Sequence, residues 1–137
     1  MRGYIFHGKS KATGKWVEGY LTYNHTRKQY YIMDDVMSFP IPVYAKSVGE
    51  WTGSHDKNSQ KIFEGDIISI RFETDGVDGF PGYSWYESAE VVFSEEKHAW
   101  IVVFNDGGEE MYLNEYDDID DIYVIGTGFD DTDLLEE

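Results

Sequence analysis

Apolar residues recur along this chain in short runs bounded by glycine, asparagine, aspartate or proline, and almost nowhere with the 3.6-residue period of a helix. Tyr4-Ile5-Phe6 is the first run, and Ala12-Thr13-Gly14-Lys15 is a turn whose glycine supplies the positive φ of a hairpin reversal. Residues 16–21 and 29–33 read as two further strands, separated by the polar reversal Asn24-His25-Thr26-Arg27-Lys28. Phe39-Pro40-Ile41-Pro42-Val43 carries two prolines two apart, so it is predicted to run extended at a sheet edge or as a crossover, because proline has no N–H for a central ladder. Strands are predicted again over residues 48–53, 61–63 and 67–72, with turns at 54–59 and 64–66.

Residues 74–84 hold three glycines and a proline, which excludes regular structure and predicts an exposed, mobile loop. Strand patterns return at 89–93 and 100–104 around the turn Glu95-Glu96-Lys97-His98. A hairpin reversal at Asn105-Asp106-Gly107-Gly108 leads into 110–113. The last strand is predicted over 122–125, and Asp130-Asp131-Thr132-Asp133 before Leu134-Leu135 is placed to cap one terminal helical turn. Strands at intervals of about ten residues predict a mainly β fold. The expected arrangement is an N-terminal β meander unit over residues 1–59, packed on a C-terminal SH3-like small β-barrel over residues 60–137 that carries the long loop.

Composition narrows the function classes. With 137 residues the chain is one domain or two small modules sharing a core, and its 4 Trp, 11 Tyr and 8 Phe carry enough apolar area for an ordered interior. The absence of cysteine excludes disulfides, thiolate nucleophiles and cysteinyl metal sites. The sequence has neither a signal-peptide stretch nor a window apolar enough to span a bilayer, so a soluble, cytoplasmic protein with no membrane contact is expected. The net charge of −16 is divided unevenly: residues 1–62 hold 9 Lys/Arg against 5 Asp/Glu, and residues 63–137 hold 2 against 22. A surface so poor in cations repels phosphate, which makes nucleic acid a disfavoured partner and a basic protein, or the basic half of a second copy, a favoured one.

No residue constellation specifies a reaction. His7, His25, His55 and His98 lie at none of the spacings of a local metal pair. Asp117, Asp118, Asp120 and Asp121 crowd four carboxylates together but lack the alternating acceptors and the glycine of a calcium loop, so they are read as an acidic partner-binding surface. Ser54-His55-Asp56 is consecutive, whereas the members of a catalytic triad converge across space. Gly76, Gly79 and Gly82 lie in an acidic loop unsuited to phosphate. Glu64 and Asp66 flank Gly65, and the reading of this trio is structural: Gly65 turns the chain while Asp66 accepts backbone N–H bonds and launches the next strand. No catalytic, cofactor-binding or metal-binding residue is assigned, and no cofactor is expected.

The stretch Trp51-Thr52-Gly53-x-x-Asp56-Lys57-Asn58-x-x-Lys61-Ile62-Phe63-Glu64-Gly65-Asp66-Ile67-Ile68 resembles the signature of the YopX family of phage and prophage proteins. The opening Ile5-Phe6-His7-Gly8-Lys9, the segment Gly14-Lys15-Trp16-Val17-x-Gly19 and the closing Val124-Ile125-Gly126 resemble other elements of the same family. Ser59 stands where the family's turn usually has glycine, which suggests a different turn type, and Tyr123 and Thr127 stand in place of the usual Glu and Asn. The resemblance implies a mainly β protein with an SH3-like C-terminal barrel, a phage or prophage origin and a tendency to form homo-oligomers. It carries no catalytic residue. Its signature consists of turn formers and core residues, with Gly53, Asp56, Asn58, Glu64, Gly65 and Asp66 as the structural motif.

The expected function is therefore that of a non-enzymatic accessory protein acting through self-association and contact with a basic host or phage protein. The alternatives are a nucleic-acid-associated module using Lys9, Lys11, Lys15, Arg27 and Lys28, and an enzyme with an unrecognised acid site.

Overall fold

Period-two alternation punctuated by turn residues gives eleven strands and no α-helix among the described residues, which in this computed structural model are 5–34, 39–104, 109–113 and 122–131. The strands are β1 (Phe6–Lys9), β2 (Trp16–Asn24), β3 (Gln29–Met33), β4 (Pro40–Val43), β5 (Gly49–His55), β6 (Lys61–Phe63), β7 (Asp66–Glu73), β8 (Ser84–Ser94), β9 (Ala99–Phe104), β10 (Glu110–Tyr112) and β11 (Ile122–Thr127). A single 3₁₀ turn covers Ala45–Ser47. The reversal at 105–108, the aspartates at 117–121 and the leucines of the expected terminal turn lie outside the described residues. None of the described helical structure is long and apolar enough to cross a membrane.

The chain divides into two units, Met1–Ser54 and His55–Glu137. The division falls before the turn at 56–60, whereas the sequence suggested one after residue 59. The reason lies in that turn: the Lys57 N–H donates to Ile122 O at 3.0 Å, so its main chain is bonded into the second unit.

In the first unit the strands run antiparallel in the order β4-β3-β2-β1-β5. β4 lies at the edge of this order, where Pro40 and Pro42 cost no central ladder bond. The far ends of the four-strand run also meet, because Ser10 bridges Val43, Lys11 N–H donates to Pro42 O at 3.0 Å, and Tyr44 N–H donates to Lys9 O at 3.0 Å. Ile32 and Val43 are fully buried in the space this leaves, with Gly8 against both.

The second unit is a sheet in the order β10-β9-β8-β7-β11, again antiparallel throughout. Alternate residues Ile68 and Ile70, Ala89 and Val91, and Val102 and Phe104 turn one face inward, where they form a single cluster with Ile62, Leu113 and Ile122. Burying each of the larger side chains contributes about 1.5–3 kcal/mol. The barrel expected over 60–137 is present as a five-stranded sheet. Among the described residues no ladder joins β10 to β11, the step that would close it.

Two hairpins use the same turn device. In both β2–β3 and β8–β9 four residues reverse the chain, the fourth is left-handed (Lys28 φ 52°, His98 φ 52°), and the residue before the turn accepts an N–H with its side chain. Asn24 Oδ1 takes Arg27 N–H at 3.0 Å, and Ser94 Oγ takes Lys97 N–H at 3.1 Å. β8 begins at Ser84, earlier than the apolar run at 89–93 indicates, because Trp85 and Tyr86 continue the ladder opposite Phe72 and Arg71.

Gly19 marks the tightest strand contact of the first unit. It is buried in β2, and a Cβ there would run into the Met33 carbonyl oxygen, a backbone atom that cannot move aside. Gly19→Ala is expected to destabilise the first unit by about 3 kcal/mol. The check is hydrogen exchange: amides of β2 and β3 should lose protection while those of β7 to β9 keep it.

Candidate functional site

The residues singled out in the sequence motif converge on the carboxylates of Asp56 and Asp66, both buried. Asp56 follows β5 and heads the turn to β6. Its Oδ1 accepts N–H bonds from Asn58 and Gln60, both at 2.9 Å, while its main chain closes the turn through Asp56 N–H to Gln60 O at 2.9 Å and Ser59 N–H to Asp56 O at 2.9 Å. Its Oδ2 crosses to β11 and accepts Val124 N–H at 2.9 Å. β11 carries a register shift between Val124 and Gly126, so the Asp56 carboxylate meets the strand at its irregularity.

The turn itself is closed by Ser59 at φ 63°, the left-handed conformation that glycine adopts most readily. The serine therefore keeps the glycine-like geometry, and the different turn type suggested by its identity does not arise. Asn58 contributes its main-chain N–H, and its side chain is exposed.

Asp66 opens β7 after the Glu64-Gly65 turn, where Gly65 has φ 89° and no atom near a would-be Cβ, so glycine is required there by conformation alone. The peptide of Gly65 is held on both sides, its N–H donating to Val91 O at 2.8 Å and its O accepting Gly128 N–H at 2.7 Å. Asp66 Oδ2 reaches back across the turn and accepts Phe63 N–H at 2.8 Å. Burial pushes the Asp66 carboxyl up to about 7; the Phe63 bond opposes this and the nearby Asp56 charge adds to it. Glu90, whose carboxylate lies where a Cβ on Gly128 would sit, is also pushed up by burial. Glu64 is exposed at the turn. Gly53, with φ 91°, lies in β5.

The remaining candidates are scattered. His7 is buried against Trp16, with ring centroids 4.5 Å apart, and burial lowers its pKa to about 4. His25 sits edge-on to Tyr23 in the first unit, and His98 occupies a turn in the second. Lys11 donates to Gln29 Oε1 at 2.7 Å and lies over the Tyr44 ring. Among the described residues no three His, Asp or Glu side chains are grouped so as to hold a metal ion. The acidic run Asp117, Asp118, Asp120 and Asp121 lies outside those residues. Sequence reasoning missed the second half of the Asp56 contact, since an Asp-x-Asn turn signal says nothing about a strand 68 residues away.

The two carboxylates differ in how they respond to an amide. Asp56 uses both oxygens as acceptors, so Asp56→Asn sets an NH₂ group against a main-chain N–H and is expected to cost about 3 kcal/mol. Asp66 spends one oxygen on Phe63, a role the oxygen of an amide can keep. Because the folded-state pKa of Asp66 lies above its unfolded value, the folded protein holds the proton over the interval from about 4 to about 7. Stability therefore falls as pH rises through that window and is level above it. Asp66→Asn should flatten this slope and raise the thermal midpoint at pH 8, whereas Asp56→Asn should lower the midpoint at every pH. Ser59→Gly, by relieving the left-handed conformation, should add about 1 kcal/mol, or a midpoint rise of a few degrees by calorimetry.

A comparison with curated proteins finds no match. The family described as YopX protein matches residues 5–136, a span that takes in the Asp56 turn, the Gly65 turn and β11 together. The chain belongs to the YopX family.

Proposed function

We propose that this protein acts without catalysis, as a phage-derived accessory protein that self-associates and engages a basic protein partner in the host cytoplasm through its acidic second unit. The observation that carries the reading is the coincidence of the charge division with the unit boundary. Residues 1–54 hold 7 Lys/Arg against 4 Asp/Glu, and residues 55–137 hold 4 against 23. A folded unit of that charge steers cationic partners toward itself and repels nucleic acid. The use of the motif's buried carboxylates as main-chain acceptors supports a scaffold role for the signature. An SH3-like module is supported by the second unit's antiparallel sheet, in which β7 to β10 form a meander and β11 returns to pair with β7. Contact between copies rests on aromatic and aliphatic surface, with charge setting encounter and specificity.

Replacing Asp117, Asp118, Asp120 and Asp121 by Asn removes four charges at nearly constant volume. Capture of a basic partner from host lysate is expected to be lost while the oligomer seen by light scattering persists. The same capture should weaken as added salt shortens the Debye length from about 10 Å at 0.1 M to about 3 Å at 1 M. Capture that survives the four replacements and disappears when Lys9, Lys11 and Lys15 are neutralised would overturn the acidic-face reading in favour of the nucleic-acid one.

A further inference from the structure

The segment joining β7 to β8 is more ordered than its glycine and proline content suggests. Beyond the last ladder pair, Glu73 with Ser84, Thr74 N–H donates to Tyr83 O at 2.9 Å and Tyr83 N–H to Thr74 Oγ1 at 3.3 Å. Val77 and Phe80 then exchange both main-chain bonds, at 2.9 and 2.7 Å, around Gly79 at φ 78°. The tip is a small hydrogen-bonded hairpin. Its side chains point apolar surface into solvent, with Val77 70%, Phe80 71% and Tyr83 68% exposed.

Tyr83 ends an aromatic ladder that starts in the core. Phe104 is buried, Phe72 lies 5.8 Å from it, Trp85 stacks on Phe72 at 5.8 Å and 23°, and Tyr83 follows at 5.5 Å from Trp85. The inner rings anchor the outer ones, so the exposed faces are held in place without a partner. The chemistry beside the ladder has one sign. Residues 72–87 contain Glu73, Asp75, Asp78 and Glu87 and no Lys or Arg, and the neighbouring Arg71 pairs with Glu73 at 3.0 Å. Glu87 accepts the Trp85 indole N–H at 3.0 Å, which places a carboxylate at the edge of the ring.

We propose that this ridge is a docking site for an extended, arginine-containing segment of a partner protein. The guanidinium lies on the Trp85 or Tyr83 face, where the ring quadrupole attracts it, and is paired with Glu87 or the Asp75 and Asp78 carboxylates. Apolar residues of the segment cover Val77 and Phe80. A cation is the occupant that matches Asp75, Asp78 and Glu87 in a segment without Lys or Arg, Glu73 being paired with Arg71; a phosphate backbone is repelled, and the basic first unit of a second copy is the competing occupant that the experiment separates. The proposal rests on the reading that the acidic unit engages a basic protein, and adds on 72–87 a second contact apart from the aspartates at 117–121.

The probe is a fluorescently labelled short peptide alternating arginine and proline, which is extended in solution, with its glutamate–proline and serine–proline counterparts as controls. Binding is read by anisotropy, and the Trp85 indole resonance, identified by its loss in Trp85→Phe, is followed by NMR. The arginine peptide should bind and shift that resonance, and the controls should not. Phe80→Ala with Tyr83→Ala, both at exposed positions, should weaken binding about tenfold at an unchanged thermal midpoint, as should Asp75→Asn with Asp78→Asn. The four replacements at 117–121 should leave peptide binding intact. Absence of binding, equal binding of the serine peptide, or binding that survives the ridge replacements and is lost with those at 117–121 would overturn the ridge; the last result would leave the acidic-unit reading standing. Dissociation of the oligomer in Phe80→Ala with Tyr83→Ala would assign the ridge to a second copy and overturn the peptide proposal.

Discussion

The carboxylate of Asp56 accepts three main-chain N–H groups from two places that are distant in sequence, and the second unit is organised around that contact. A carboxylate withdrawn from water is costly unless its lone pairs find donors, and bonds to a charged acceptor are worth about 1.5–3 kcal/mol each. Asp56 is fully buried and meets that condition. It fixes the conformation of the turn before β6 and seats β11 beside β7. Without it the Val124 N–H would lose its carboxylate acceptor, and the turn before β6 would lose one of its ties to β11, whose register follows its ladder with β7.

Asp66 shows the opposing side of the same physics. It clamps the neighbouring turn with one bond, and burial, with a smaller contribution from the Asp56 charge, pushes its carboxyl up to about 7 against the effect of that bond. Perturbed carboxyl groups often mark catalytic sites, yet here the perturbation follows from burial behind a turn whose glycine peptide is bonded to β8 and to Gly128. His7 in the first unit, lowered by burial, loses stability as pH falls below its unfolded value, whereas Asp66 in the second gains it. The two units thus carry opposite pH responses between about 4 and about 6.5.

The two units use their glycines, prolines and rings differently. The first unit spends its small residues on close strand contact at Gly8 and Gly19 and its prolines on an edge. The second keeps an aromatic ladder running from the core into solvent on an acidic hairpin. The buried scaffold and the exposed aromatic edge rest on different residues, the scaffold on Asp56 and Gly65 and the edge on the residues between β7 and β8.

Local sequence determined most of the strands. Gln29–Met33 and Lys61–Phe63 coincide with their apolar runs, and the polar reversals at 25–28 and 95–98 are turns because a side-chain acceptor precedes them and their last residue adopts a left-handed conformation. Where periodicity misled, tertiary contact had intervened. The first strand is Phe6–Lys9, beyond the run at 4–6, because Gly8 and Lys9 pair with Val17 and Trp16. β8 starts at Ser84 because Trp85 finds Phe72, a partner no window around residue 85 contains. The site divides the same way. An aspartate two residues before an asparagine announces a turn, and a glycine between two acids announces another. That the Asp56 carboxylate reaches Val124 and that burial raises the Asp66 carboxyl were decided only by tertiary structure, since burial and long-range acceptors are properties of chain segments brought together and not of the segments alone.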